Sequence, residues 1–508
     1  MIRRDRLGTA LAVALAAAGA AGCSPDEGAN GAGGATPDSG TNTPRWPACS
    51  AKTGVQTLSF VHMNDMHGHY NVELDGAPKV ARIRGFYESV LAENPYTIFT
   101  NGGDDYEKGS VVEALSEYAS TREVSKALRF DVRVIGNHDL AWSQEELLAY
   151  ARDDHAIVLA SNLEYIGDDP QGFGAVRWAE LQIGCVRVGF LGAVSAPWDA
   201  RNTQYQGDYY EQFPTDLDFI RVHRELVDAH RGEVDLIVAV SHLGVGDDLL
   251  VATQVEGIDA ILGGHSHTTL FQPEVVGKTL VVQAGWASTY VARLDLDFDL
   301  DRRELAGHRY DLRIVTPGIE ASVDTAQEVE AILQRHGPGA FESIGRMRSS
   351  SSELATCELA ARAAIADLGV DAALVKRSTS FGALGLGPVT QQDLFDVFKI
   401  ERQPAGTPGW TAMYVAELTG ASLALLGGLP ADEWVLVAPN PIDPGRTYRL
   451  AVQKLAALHP EDYLPAGVSL SAPSFAKETW ELLDQLTRAR TRDCLYLDAD
   501  EPLPDCKP

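Results

Sequence analysis

Five short clusters hold most of the side chains able to do chemistry, and each lies where an apolar run ends. The first is Asp65-Met66-His67, which follows Leu58-Ser59-Phe60-Val61-His62-Met63. The β-branched and aromatic run reads as a buried strand. Residues two apart on an extended backbone leave from one face, so Asp65 and His67 would point together. A carboxylate and an imidazole held in that way make half of a divalent-metal site. The second cluster is Asn101-Gly102-Gly103-Asp104-Asp105, where the diglycine permits a sharp turn that brings a carboxylate close to a partner. An aspartate so placed can bridge two cations, one through each oxygen. The third is Gly136-Asn137-His138-Asp139. Its amide oxygen suits a hard cation inside a set that also holds carboxylate and imidazole. The fourth is His242, closing the run Leu236 to Ser241, and the fifth is Gly263-Gly264-His265-Ser266-His267.

Each cluster alone has a plain explanation as a turn, a helix cap or a structural histidine. Jointly they supply enough nitrogen and oxygen donors for two cations, and ligands in α/β folds gather at strand ends. The elements that must position them alternate along the chain. Helical patterns fall at 80–93, 121–129, 144–152 and 216–230, and strand patterns at 96–100, 131–135, 157–160, 235–240, 257–262 and 280–300. Residues 177–194 read as a hairpin-like pair. This is an α/β layered domain with mixed sheets. A polar helix at 324–335, closed by Gly337-Pro338-Gly339, leads to a second unit. That unit has a helix at 353–368, a strand at 371–376 and further apolar pattern at 412–426 and 448–452.

A chain of 508 residues has room for more than one core. Its net charge of −29 argues against binding nucleic acid or an anionic membrane through a general field. An anionic substrate therefore needs metal ions or a few placed cations. Arg3, Arg4 and Arg6 precede an Ala/Leu/Val run that ends in Ala20-Ala21-Gly22-Cys23. This is the layout of a bacterial secretory signal with a lipoprotein processing site, which would leave Cys23 lipidated. Ala20 stands where leucine is usual, and an ordinary signal peptide cut nearby is the alternative. The apolar run is short for a spanning helix. The Gly/Ala/Pro/Asp-rich stretch after Cys23 reads as a disordered tether. The other cysteines, Cys49, Cys185, Cys357, Cys494 and Cys506, show no metal-type spacing. Cys494 and Cys506 can pair, Cys49 can equally reach the tail, and Cys185 reads as plain core.

The order Asp-x-His, Gly-Asp, Gly-Asn-His-Asp, His, Gly-His-x-His resembles the calcineurin-like metallophosphoesterases. Asn64-Asp65-Met66-His67-Gly68 and Gly263-Gly264-His265-Ser266-His267 are most similar to the bacterial 5′-nucleotidase branch, the bifunctional metallophosphatase/5′-nucleotidase family. The resemblance spans roughly residues 55 to 455. It implies an α/β fold: a four-layer αββα sandwich with a smaller C-terminal α/β domain of 5′-nucleotidase type. The implied boundaries are 1–23 for the signal peptide, 24–50 for the tether and 51–316 for the metallophosphoesterase domain. A connector helix would take 317–345, the C-terminal domain 346–490 and a tail 491–508.

By the same resemblance, Asp65, His67 and His267 would hold one divalent metal and Asn137, His242 and His265 the other. Asp104 would bridge them, with Asp105 the open alternative because Gly109 falls one place later than in relatives. The metals would be Mn, Zn or Fe, since these ligands suit all three. They would activate a water and bind phosphoryl oxygens, while the catalytic His138 stabilises charge or protonates the leaving oxygen. Relatives support this histidine with a carboxylate four places after the Asn. Here that place is Ala141, so Asp139 or another acid must serve.

The second domain departs further. Where relatives have Asn-Gly-Gly-x-x-Arg, this chain has Val375 to Ala383 without the glycine pair, and the late Gly-Gly-Asp-Gly-Phe segment is missing. Arg377, Lys399 and Arg402 are candidate substrate contacts. The expected function is an exported, lipid-anchored, dinuclear phosphoesterase for small phosphoesters, most of all nucleotides, at a periplasmic or cell-surface location. The alternatives are a cyclic-nucleotide phosphodiesterase, a nucleoside diphosphate sugar hydrolase, or a surface-binding lipoprotein with a vestigial site.

Overall fold

The computed structural model describes residues 45–50, 52–141, 143–153, 155–195, 212–400 and 408–504. Cys23, the signal and most of the tether, Arg402 and Cys506 lie outside the described residues.

Period-two alternation in the strand Val55–Met63 sets the layering. Leu58 and Phe60 point into one core together with Val188, Phe190, Val238 and Leu262. Val61 and Met63 point the other way, into a core shared with Phe86, Val90 and Leu128. One face thus packs sheet on sheet and the other packs sheet on helix. The first sheet runs Glu304–Ile314, Tyr290–Asp299, Val55–Met63, Thr97–Asn101, Val132–Val134, Ile157–Leu159. The second runs Glu274–Val276, Thr279–Gln283, Ala260–Gly263, Leu236–Val240, Val186–Leu191, Ala179–Ile183. Helices Phe219–His230 and Val245–Gln254 cover its outer face through Val227, Val251 and Ala252. The result is the expected αββα sandwich. Its central strands are parallel in both sheets, so their carboxyl ends emerge on one side.

A second, smaller α/β unit follows. Its five-stranded sheet runs Trp434–Val437, Ala372–Lys376, Thr447–Gln453, Met413–Thr419, Ser474–Lys477. Helix Glu353–Leu368 starts at Ser352, whose side chain accepts from the Ala355 N–H, and stops at Gly369 in the left-handed conformation that favours glycine. Helix Val323–His336, expected as a connector, sinks Val329, Ile332 and Leu333 into a core that continues from the first sheet's helices into this second unit. From the second unit, Gln392 reaches the first. Its Oε1 accepts from Asn71 Nδ2 (3.1 Å) and the Val111 N–H (2.9 Å), and its Nε2 donates to the Gly109 carbonyl (2.9 Å).

Cys185 is not a core thiol. It is joined to Cys49 across 136 residues, while Cys357 is buried and free. Closing so long a loop restricts the unfolded chain, an effect worth roughly 3–5 kcal/mol in the chain-entropy model. Several elements went unread in the sequence, two of them long. Strand Glu304–Ile314 is largely solvent-facing and carries charge along its length, so its alternation is weak. Helix Thr479–Arg492 is mostly polar and buries a narrow stripe of Trp480, Leu482, Leu483 and Thr487. Among the described residues no helix is long and apolar enough to cross a membrane.

Candidate metal centre

All five clusters meet at the carboxyl ends of the central strands. Two strand-end contacts stitch the sheets there: His62 Nε2 to the Gly263 carbonyl at 3.0 Å, and His242 Nδ1 to the Gly102 carbonyl at 2.5 Å. The ligand atoms of Asp65, His67 and His267 lie within 4.8 Å of one another, as do those of Asp104, His242 and His265. Asn137 Oδ1 lies 2.8 Å from His265 Nδ1 and so joins the second set. Asp104 Oδ2 is 2.9 Å from His242 Nε2 and 3.7 Å from His67 Nε2, which places it between the sets.

The convergence does not come from extended backbone, as the spacing suggested. Asp65 (φ 52°) and His67 (φ 48°) are both left-handed, and so are Asp104 (56°), His265 (75°) and His267 (55°). Five non-glycine residues in this region, at a cost on the order of 1–3 kcal/mol each, is strain concentrated at one spot. The surroundings hold it in place. Asn64 Nδ2 donates to Asp65 Oδ2 (2.6 Å) and to the Gly285 carbonyl (2.6 Å), and the His265 N–H donates to the Asp65 carboxylate. Asp139 accepts from the N–H groups of Asp104, Asp105 and Gly136, at 3.1, 2.9 and 2.7 Å. A side chain on Gly136 would collide with the Asp104 carboxylate, so only glycine lets the two loops close.

Asp105 turns away from the cluster. Its Oδ1 accepts from Asn101 Nδ2 (2.8 Å), and its Oδ2 accepts from Ser125 Oγ (2.6 Å) and the Tyr150 hydroxyl (2.8 Å). Of the two adjacent aspartates, Asp104 is the one that faces both donor sets.

The donor chemistry fits cations. A carbonyl can only accept, so His67 Nδ1 carries the proton it gives to the Tyr106 carbonyl (3.0 Å), and the lone pair sits on Nε2. That Nε2 lies 3.0 Å from His267 Nε2. Burial, with Lys108 nearby, holds His67 well below the usual histidine range, so it is neutral. Two ring nitrogens aimed at one point beside a carboxylate are metal-ligand geometry. At the second set, burial alone would lower His242, but the charge of Asp104 outweighs it and lifts His242 to about 10. Burial and then the His242 charge push His265 down to about 4. In the absence of a cation a proton on His242 Nε2 faces Asp104 Oδ2 at 2.9 Å, and a cation in its place would serve Asp104, Asn137 and His265 as well.

His138 sits beside the sets, its ring edge-on to His67 at 4.9 Å between centroids. Its Nδ1 meets the carboxylate of Glu107, and its backbone N–H donates to Asp104 Oδ1 at 2.7 Å. Asp139 is occupied with backbone, so Glu107 is the acid at this histidine. Lys108 Nζ lies 3.3 Å from His138 Nε2. Trp286, 41% exposed, stacks flat on His267 with centroids 4.9 Å apart. Sequence reading passed over all three, though Glu107 and Lys108 lie within four residues of Asp104.

Lys399 lines a cleft of about 550 Å³ with His69, Asn71, Gly109, Phe341 and Gln392. Arg377 is elsewhere, paired with Glu353 in an exposed hollow beside Lys376 and Asp432.

Residues 58–269 match the family model described as calcineurin-like phosphoesterase. The chain is 24% identical over 351 residues to YunD, an uncharacterized metallophosphoesterase of Bacillus subtilis, covering 67% of this chain and 72% of that protein. To human 5′-nucleotidase it is 23% identical over 294 residues, 52% of this chain and 50% of that one. The chain therefore spans about half the length of the mammalian relative. In fold it is similar to a 5′-nucleotidase precursor from Thermus thermophilus, with TM-score 0.62 and 20% identity over 85% of this chain and 97% of that one. It is also similar to the sulfate thiohydrolase SoxB of the same organism, with TM-score 0.58 and 17% identity over 85% and 94%. These two likenesses concern architecture alone, and they span different chemistries. Taken with the family model matched over residues 58–269 and the two converging donor sets, the two-sheet fold makes this chain a metal-dependent hydrolase.

Proposed function

We propose that this hydrolase is a 5′-nucleotidase-like phosphoesterase with two divalent ions. The observation that carries the reading is Asp104, whose carboxylate faces both donor sets. Asp65, His67 and His267 would hold one ion, and Asn137, His242 and His265 the other, with Asp104 available to both. When bound, the ions supply an activated water and offset phosphoryl charge. The chain's own residues do the rest. The carbonyls of Tyr106 and Gly102 fix the His67 and His242 rings through Nδ1. His138 turns Nε2 toward the place where the departing ester oxygen needs a proton as its bond to phosphorus breaks and the water oxygen bonds to phosphorus. The cleft holding Lys399, His69 and Phe341 opens beside the loop that carries Lys108, and it receives the leaving group. The relatives named 5′-nucleotidase support a nucleotide there.

The test is product analysis (free phosphate, nucleoside monophosphate, sugar phosphate or p-nitrophenol) for 5′-AMP, ADP, 2′,3′-cyclic AMP, UDP-glucose and bis-p-nitrophenyl phosphate with chelator-stripped, metal-reloaded protein. Metal-dependent turnover of 5′-AMP is expected. Turnover restricted to the cyclic nucleotide or the sugar nucleotide would move the substrate to that class. No turnover and no retained metal would overturn the reading.

Export and lipid attachment at Cys23 complete the proposal, and the Cys49–Cys185 disulfide is at home in an oxidising compartment. Cys23→Ser should move the protein from the membrane pellet to the soluble fraction. An unchanged distribution would reject the anchor.

A further inference from the structure

Between Tyr106, whose carbonyl holds His67, and Gly109, whose carbonyl is held by Gln392, the chain passes through two consecutive left-handed residues. They are Glu107 (φ 71°) and Lys108 (φ 78°), a conformation that non-glycine residues seldom adopt. Glu107 is fully buried, and its backbone N–H donates to Glu113 Oε1 at 2.9 Å. A buried carboxylate needs a partner, and here it meets His138 Nδ1. A carboxylate can only accept from a ring N–H, so Nδ1 carries the proton and Nε2 is directed away from Glu107. On that side lies the Lys108 ammonium, 3.3 Å away. His67, Asp104 and His138 form one cluster of ligand atoms, so the ammonium stands at the edge of the metal centre itself.

We propose that the Glu107–Lys108 step makes this centre selective for phosphate monoesters over diesters, an inference that rests on the hydrolase reading above. Lys108 contacts the substrate. Its ammonium lies where the oxygens of a bound phosphoryl group approach His138 Nε2. A monoester dianion brings one more negative charge to that spot than a diester monoanion, so it gains more from an added cation. Glu107 is a positioning residue. It acts through His138, fixing which nitrogen faces the ester, and it replaces the carboxylate that the sequence lacks at Ala141.

The experiment uses the full chain loaded with Mn²⁺, with metal content measured for every variant, on p-nitrophenyl phosphate and bis-p-nitrophenyl phosphate. Lys108→Met should lower kcat/KM for the monoester about 10²-fold and for the diester less than about 3-fold, with Lys108→Arg restoring most of the loss. Glu107→Gln should lower kcat about 10²-fold with KM nearly unchanged. A second readout needs no turnover. The metal-free protein should show a strongly downfield imidazole N–H proton resonance, absent in His138→Gln and in Glu107→Ala but present in Asp139→Asn. Equal losses on both esters in Lys108→Met, or a downfield proton that survives Glu107→Ala, would overturn the proposal while leaving the hydrolase reading standing. A wild type that holds two metals and cleaves neither ester would overturn both.

Discussion

Asp104→Ala lowers metal-dependent phosphate release by at least about 10³-fold and reduces bound metal from two ions per chain to one or none. Losing a group that serves both donor sets should cost more than losing one ligand of one set, because second-site geometry depends on the first. Asp104 is 1% exposed, and its Oδ1 also accepts the His138 N–H at 2.7 Å, so removing it disturbs the approach of His138 as well. The change also leaves His242 buried without its counter-charge. The measurement is elemental analysis beside turnover on the best substrate of the panel, with Asp105→Asn as comparison. Asp105→Asn should retain both metals, because the Asp105 oxygens face Asn101, Ser125 and Tyr150 rather than the donor sets. If Asp105→Asn loses metal while Asp104→Ala keeps it, the assignment of the shared carboxylate is reversed.

Arg133→Met should destabilise the first domain by about 3–5 kcal/mol, the range for a buried ion pair broken by removing one partner. The Arg133 side chain is fully buried. Its Nη1 donates to Ser125 Oγ at 2.5 Å and its Nη2 to the Tyr150 carbonyl at 2.5 Å. Asp153 Oδ2 lies 3.1 Å from Nη2, and Asp105 Oδ2 lies 4.0 Å from Nη1. The guanidinium also covers the Tyr150 ring, 3.8 Å from its centroid. Methionine fills part of the volume but leaves two buried carboxylates without a cation. Thermal unfolding of the metal-free protein is the measurement, so that bound metal does not mask the change. A drop in Tm of several degrees is expected, with metal uptake by the folded fraction retained. A variant that melts with wild type would show that this network carries no net stability.

The sequence alone determined which residues could meet and in what kind of fold. Period-two apolar runs ending in Asp, Asn and His at 65, 67, 104, 137, 242, 265 and 267 are local features, and parallel strands carry their ends to one side. The layered α/β arrangement was legible from the alternating elements and the sandwich from the family resemblance, and Leu58 and Phe60 against Val61 and Met63 fill its two buried faces. What the tertiary structure decided depends on contacts between distant segments. Spacing predicted extended backbone at Asp65 and His67, but the chain there is left-handed because Asn64, Gly285 and His265 hold it so. Glu107 became the partner of His138 through a loop 31 residues away, and Cys49 found Cys185 across 136. Gln392 fastened the second unit to Gly109 from 283 residues off. Local pattern reports which face a side chain takes; it carries no information about which remote atom will satisfy it, because that pairing is set only when the sheets and domains pack together.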